Sequence, residues 1–305
     1  MVRSVRAYYN RDVETEWKRV VSTPYHRLEF ETSTHFLEEH LPKSGLLLDA
    51  GGGPGRYTVE LAKKGYDVVL LDIAPANLAF AKEKVRRAGQ GARVKRFVKG
   101  SIEDLSMFPD EYFDAVLSLG GPLCHLVSQA ARRRAIDELV RVCKGGGTIL
   151  VSVIGRLGAA VTHLEILSDH IALPMFKKYA LRGDYLGGYG FTAHHAYLVD
   201  ELEGDFHRGD VTVLGMVGLE GVSSGHQREV NLLSRRNKLW RAWMDIHYKT
   251  CTDRSVVGMS EHMMIICRKQ KSVPRLGRRL DAESLAVRCS VAQGAVDDDR
   301  VRRPH

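Results

Sequence analysis

Leu46-Leu47-Leu48-Asp49-Ala50-Gly51-Gly52-Gly53-Pro54-Gly55-Arg56-Tyr57 decides how this chain reads. Three leucines end in an acid, a glycine-dense turn follows, and helical character resumes at Arg56. An apolar run this short, closed by glycines, reads as a buried strand. Gly51, Gly53 and Gly55 fall at every second position. A backbone without Cβ can bend there through positive φ and let a ligand lie against it. The first turn of the following helix aims its free N–H groups back at that turn. A dinucleotide site of the form G-x-G-x-x-G needs a third glycine; this chain has Arg56 there.

The same rhythm continues downstream. Asp67-Val68-Val69-Leu70-Leu71-Asp72 reads as a second strand ending in acid. Asp72 stands about 20 residues beyond the turn, where a carboxylate can accept hydrogen bonds from both hydroxyls of a ribose; a helix N-cap is the competing role. Helix 75–88, strand 94–98, strand 112–119, helix 130–143 and strand 148–154 complete a repeated strand–helix alternation, which predicts a parallel doubly wound sheet. Ligands of such sheets bind beyond the carboxyl ends of the strands. Asp49–Gly55, Asp72 with Ile73, Ser101-Ile102-Glu103 and Ser118-Leu119 through His125 all fall at those ends.

The glycine pattern Asp49-x-Gly51-x-Gly53-x-Gly55 is similar to the first motif of class I S-adenosylmethionine (SAM) dependent methyltransferases, commonly D/E-x-G-x-G-x-G. Asp72, the Phe113-Asp114-Ala115-Val116 strand and the loop Gly120-Gly121-Pro122-Leu123-Cys124-His125 also resemble that family, over roughly residues 30–155. The nearest likeness is to its ubiquinone/menaquinone-type and small-molecule branch. The resemblance implies a Rossmann-like, seven-stranded sheet, mostly parallel with an antiparallel last strand. It also implies SAM as cofactor: the glycines under its amino-acid part, Asp49 holding the loop and the amino group, and Asp72 with Ile73 at the ribose. Ser101, Ile102 and Glu103 then sit at the adenine and the loop 120–125 beside the methyl, with Ser118 and Leu119 also among the cofactor-binding residues. In place of the family's usual Gly-Asp, this chain has Gly100-Ser101, so Ser101 or Glu103 has to meet the adenine amine. The Asn-Pro-Pro-Tyr-type motif of many nucleic-acid and protein methylating enzymes is replaced by Ser118-Leu119-Gly120-Gly121-Pro122, which favours a small-molecule acceptor.

Around this centre, residues 1–45 read as a helical, aromatic lid, from which Tyr9, Tyr25 and Arg27 are candidates to orient an acceptor. His125 is the candidate base, since an imidazole can take a proton near neutral pH; packing against the next helix is an equal alternative. Residues 155–197 read as a cap inserted into a domain spanning 46–268, and 269–305 as a basic, disordered or loosely docked tail. Glu229–His247 reads as one helix with a buried stripe of Leu232, Leu239, Trp240, Trp243, Ile246 and His247, and 260–268 as the last strand.

Composition sets the outer bounds. The 305 residues are 44% apolar and 27% charged, ordinary for one large domain with appendages. The net charge of +8 permits nucleic-acid contact without demanding it. Five cysteines with no C-x-x-C spacing argue against a disulfide framework or a zinc site and for reduced, cytoplasmic thiols. No metal is expected. The N-terminus has no apolar run of signal-peptide kind, and no stretch is long enough to span a bilayer. Three functions fit: a small-molecule methyltransferase, an RNA methyltransferase, or a SAM-binding regulator without turnover. The oligomeric state is not legible.

Overall fold

The computed structural model describes residues 2–166, 168–187 and 191–271. The expected tail lies outside the described residues from position 272 onward. Three helices precede the sheet: α1 (Val2–Tyr9), α2 (Val13–Arg19) and α3 (Pro24–His40). Asp12 caps α2 by accepting from Thr15 N–H, and Thr23 caps α3 by accepting from His26 N–H ahead of Pro24. α3 runs for 17 residues from this local cap.

The alternating region follows as β1 (Leu46–Ala50), α4 (Arg56–Lys63), β2 (Asp67–Asp72), α5 (Pro75–Arg87), β3 (Val94–Lys99), β4 (Phe113–Ser118), α6 (Gln129–Val142) and β5 (Cys143–Ile154). The cap region contributes α7 (Arg156–Ile166), α8 (Pro174–Arg182) and a two-stranded ribbon, β6 (Asp184–Tyr185) with β7 (His194–His195). Each strand of this ribbon is only two residues long. α9 (Val199–Phe206), β8 (Val211–Gly218), α10 (Gln227–Leu233), α11 (Asn237–Thr250), α12 (Arg254–Met259) and β9 (His262–Lys269) complete the fold.

Seven strands form one sheet in the order β3-β2-β1-β4-β5-β9-β8. β1 to β5 pair in parallel, and β9 runs antiparallel to both β5 and β8. The Rossmann-like class and the reversed last strand agree with expectation. Strand order reverses at β1, which has β2 on one side and β4 on the other. That is where an open α/β sheet leaves a crevice.

The inner strands are buried on both faces: Leu47, Leu48, Ala115, Val116 and Leu150 have no solvent exposure. Hence they read as unbroken apolar runs rather than as alternation. Each such leucine stabilises the fold by about 1.5–3 kcal/mol. One side of the sheet is sealed by Ala135, Ile136, Leu139 and Val140 of α6. The other is sealed by Phe36 and Leu37 of α3 with Tyr57 and Leu61 of α4.

The helix expected over 229–247 is two helices. The chain turns at Ser234–Arg236, where Arg235 and Arg236 N–H bond to Leu232 and Leu233 carbonyls. Tyr25 N–H donates to Asn231 Oδ1 at 3.0 Å, tying α10 to α3. Leu232, Leu239 and Ile246 of the expected core stripe face solvent, while Met244 and His247 turn inward. No helix among the described residues is long and apolar enough to cross a membrane.

Candidate active site

The turn after β1 is pinned from below. Gly51 and Gly52 N–H both donate to Leu71 O of β2, at 2.7 and 3.2 Å. Gly51 has φ +81°, and a Cβ there would lie 2.5 Å from Pro122. Gly55 has φ +83°, and its Cβ would fall 2.9 Å from that of Ala81, so glycine lets α4 and α5 close together. Gly53 N–H donates to Asp72 Oδ2 at 2.9 Å.

Two acids lie beneath this turn and are used differently. Asp49 is fully buried. Its Oδ2 accepts the Thr58 hydroxyl at 2.6 Å, while Oδ1 is buried with no hydrogen-bond partner among the described residues. Burial pushes its carboxyl up to about 6. Asp72 also has its carboxyl raised by burial, but hydrogen bonds to the ionised form oppose the shift. Its Oδ1 accepts from Ala74 N–H at 2.8 Å and from the Asn77 amide at 3.2 Å. Asp72 thus clamps the glycine turn and the entry to α5, whose N-cap is Ala74 rather than Asp72; Oδ1 has both lone pairs engaged, and Oδ2, with one bond, keeps one free.

The cleft opens between β1, β2 and β4. Asp72, Ile73 and Asn77 line one wall; Ser101, Ile102 and Glu103 line the next; Gly120, Pro122 and His125 lie opposite. Val5 and Tyr9 of α1 cover it, leaving about 90 Å³ free. Ser101 Oγ accepts from Glu103 N–H at 3.2 Å, and the Glu103 carboxylate pairs with Arg134 at 2.8 Å. Ser118 and Leu119 are buried at the end of β4. They set the floor under Gly120, whose N–H donates to Ser152 Oγ at 2.8 Å, and they do not line the cleft.

His125 and Tyr9, 116 residues apart, meet at 2.7 Å between Tyr9 Oη and His125 Nε2. His125 Nδ1 lies 3.1 Å from Ala193 O. A carbonyl only accepts, so Nδ1 carries a proton, and in the neutral ring Nε2 accepts the Tyr9 hydroxyl. Burial lowers the imidazole pKa and keeps it neutral. Burial likewise raises the Tyr9 phenol well above its ordinary value. Cys124 is no nucleophile: its thiol is pushed up to about 12 by burial, and Sγ accepts the Ile154 N–H at 3.1 Å.

Arg27 does not reach this cleft. Its side chain is 54% exposed and lies 4.0 Å from Glu31, one turn along α3. The guanidinium that approaches the β4 loop is Arg19, whose Nη2 lies 3.3 Å from where a Gly120 Cβ would stand. Arg19 grips Glu29 in a two-pronged pair at 2.6 and 3.1 Å. Glu29, Glu220 and His262 come together behind it. Burial alone would lower the His262 pKa, but the Glu29 and Glu220 carboxylates overcome it and hold the ring at about 9. Two carboxylates thus face two cations, Arg19 and protonated His262, a balance that a divalent metal would upset. Sequence reading missed Arg19, because it reaches the site only through the turn between α2 and α3. It also missed Asn77, although five residues beyond Asp72 on the first turn of α5 was a readable signal.

Three comparisons bear on this geometry. Residues 48–151 match the family model described as a methyltransferase domain. By sequence, the chain is 30% identical over 148 residues to a glycine/sarcosine N-methyltransferase of Parasynechococcus marenigrum, covering 47% of this chain and 49% of that protein. It spans about half the length of such relatives. By structure, it resembles a SAM-dependent methyltransferase from Methanosarcina mazei with TM-score 0.54 at 20% identity, covering 77% of this chain and 97% of the other. It also resembles Burkholderia thailandensis 1,6-didemethyltoxoflavin-N1-methyltransferase, solved with 1,6-didemethyltoxoflavin and S-adenosylhomocysteine. There the TM-score is 0.52 at 15% identity, over 87% of this chain and 85% of that one.

Proposed function

We propose that the chain, whose residues 48–151 match a methyltransferase domain, is a class I SAM-dependent enzyme that transfers a methyl group from SAM to a small-molecule acceptor. The observation that carries this reading is Asp49 Oδ1, a buried acceptor without a partner beneath a glycine turn. Such an orphan costs free energy unless a ligand supplies a donor, and the cofactor's ammonium is a donor of the right charge. Asp72 Oδ2 then receives a ribose hydroxyl beside Ile73, Ile102 flanks the adenine, and Ser101 or Glu103 meets its amine.

The bound cofactor supplies a methyl on a sulfonium, whose C–S bonding pair stays with sulfur as the acceptor's lone pair takes the carbon. The chain's own contribution is alignment and exclusion of water. Tyr9 Oη retains a lone pair to receive the proton of an attacking O–H or N–H group, while its own proton passes to His125 Nε2. The Ala193 carbonyl holds the ring in the tautomer this relay needs.

A small-molecule acceptor is supported by the coverage of the cleft by α1 and by the names of the sequence relatives. A strongly bound RNA is the rival outcome, recognisable by affinity that falls steeply with salt. The reduced thiols Cys124, Cys143, Cys251 and Cys267, all buried, support a cytoplasmic setting as part of the same reading. The test is calorimetry with SAM and S-adenosylhomocysteine on the full chain and on Asp49→Asn. Binding of both to the parent, weakened at least tenfold in the variant, supports the proposal; equal binding by the variant removes Asp49 from it.

A further inference from the structure

A second cavity, of about 360 Å³, lies in the cap between α7, α8 and the β6–β7 ribbon. Its size falls within the ordinary range for small-molecule sites. None of its ten lining residues is Asp, Glu, Lys or Arg. Aromatic rings join it to the cofactor cleft. Phe191 lies 5.7 Å from His125 and 5.4 Å from Tyr8 on the cleft side, and 5.2 Å from His194 on the cavity side.

Two imidazoles of this cavity are arranged in one sense. His194 Nδ1 is bonded to Thr192 O at 3.0 Å and His163 Nδ1 to Ala159 O at 2.8 Å. Both facing atoms are carbonyls, so both nitrogens carry protons, and in its neutral form each ring keeps Nε2 as an acceptor. His194 Nε2 takes the Tyr179 hydroxyl at 3.3 Å. Burial pushes the His194 pKa down to about 4. His163, whose Nδ1 turns back onto its own helix, has Nε2 on the opposite edge of the ring, with Phe176 and Tyr179 at 5.1 and 5.7 Å.

We propose that this cap cavity is the acceptor site of the methyl transfer inferred above, and that it takes an uncharged aromatic or heteroaromatic molecule anchored by an O–H or ring N–H, other than the group that is methylated, donating to His163 Nε2. A carboxylate would enter without a counter-ion, at a cost of several kcal/mol. An ammonium has aromatic faces available, but no lining residue is an acid that could pair with it. The proposal rests on the methyltransferase reading for its chemistry, but not for its binding.

The test uses the full chain with saturating S-adenosylhomocysteine and four probes followed by titration: 2-naphthol, naphthalene, 2-naphthoate and tetramethylammonium. 2-Naphthol should bind about tenfold tighter than naphthalene, the worth of one buried hydrogen bond, and at least tenfold tighter than either ion. His163→Phe should erase the naphthol-over-naphthalene preference while leaving S-adenosylhomocysteine affinity unchanged, which also shows that the variant folds. Met175→Trp, which fills the cavity, should abolish binding of both neutral probes. The proposal is overturned if naphthoate or tetramethylammonium binds more tightly than naphthol, if His163→Phe keeps the preference, or if Met175→Trp leaves naphthol binding intact. Failure of S-adenosylhomocysteine to bind overturns the cofactor reading instead, and the naphthol series still decides the cavity.

Discussion

Replacing Asp49 by Asn separates the cost of a buried carboxylate from its use. The folded carboxyl titrates near about 6 against 3.8 in its ordinary state. At 1.36 kcal/mol per pH unit this difference amounts to about 3 kcal/mol. The folded state binds the proton more tightly, so between pH 3.8 and about 6 it holds more protons than the unfolded chain, and stability falls as pH rises. The full cost is present at pH 7 and nearly gone at pH 4. Asparagine keeps the acceptor for Thr58 but puts an unpartnered amide where Oδ1 stood, at about 1–3 kcal/mol. The variant without cofactor should therefore be about 0–2 kcal/mol more stable than the parent at pH 7, and less stable by a similar margin at pH 4. Urea unfolding of both proteins at the two pH values reads this directly. With SAM present the order reverses at pH 7, because the variant gives up a charge-assisted hydrogen bond of about 1.5–3 kcal/mol, a loss of roughly tenfold to hundredfold in affinity. A stability difference that does not change with pH would refute the reasoning, since the argument depends on a carboxylate ionised against burial.

Three further outcomes are expected. Tyr9→Phe and His125→Gln should each lower kcat by about 10²-fold with the SAM dissociation constant within threefold, and the double variant should be little worse than either; independent, multiplying effects in steady-state kinetics would break the proposed relay. Gly51→Ala should destabilise by about 2–4 kcal/mol, from a positive φ and overlap with Pro122, and should lose cofactor binding; a melting temperature equal to the parent's would contradict the observed contact. Glu29→Gln should cost about 3–5 kcal/mol by leaving Arg19 and His262 unbalanced. In the parent, His262 is held at about 9, so its contribution is complete below about pH 6.5 and fades as pH rises through 9. Unfolding curves that are flat from pH 7 to 10 would refute that contribution.

Much of this was readable from residues alone, and the reason is local. β1, its turn and α4 are specified by twelve consecutive positions, and β2, β4 and β5 by apolar runs that owe their form to burial on both faces. Asp49 and Asp72 were legible because they end strands. What escaped notice depends on contacts between distant segments. Nothing in Ser234-Arg235-Arg236 breaks a helix by composition, yet docking of α10 on α3 through Asn231 turns the chain there. Leu232, Leu239 and Ile246 keep helical spacing across a break, which rotates the stripe outward. Tyr9 and His125 were each recognisable as reactive, but their union follows from how α1 lies across the sheet edge. Arg27 and Arg19 are indistinguishable by sequence, since the turn between two helices decides which guanidinium faces Gly120.

The most direct test of the central claim is a calorimetric titration of the intact chain with S-adenosylhomocysteine, followed by NAD. The account predicts one saturable site for the first compound, with affinity reduced at least tenfold by Asp49→Asn, and no heat of binding for the second. Uptake of the dinucleotide with indifference to the thioether would contradict it.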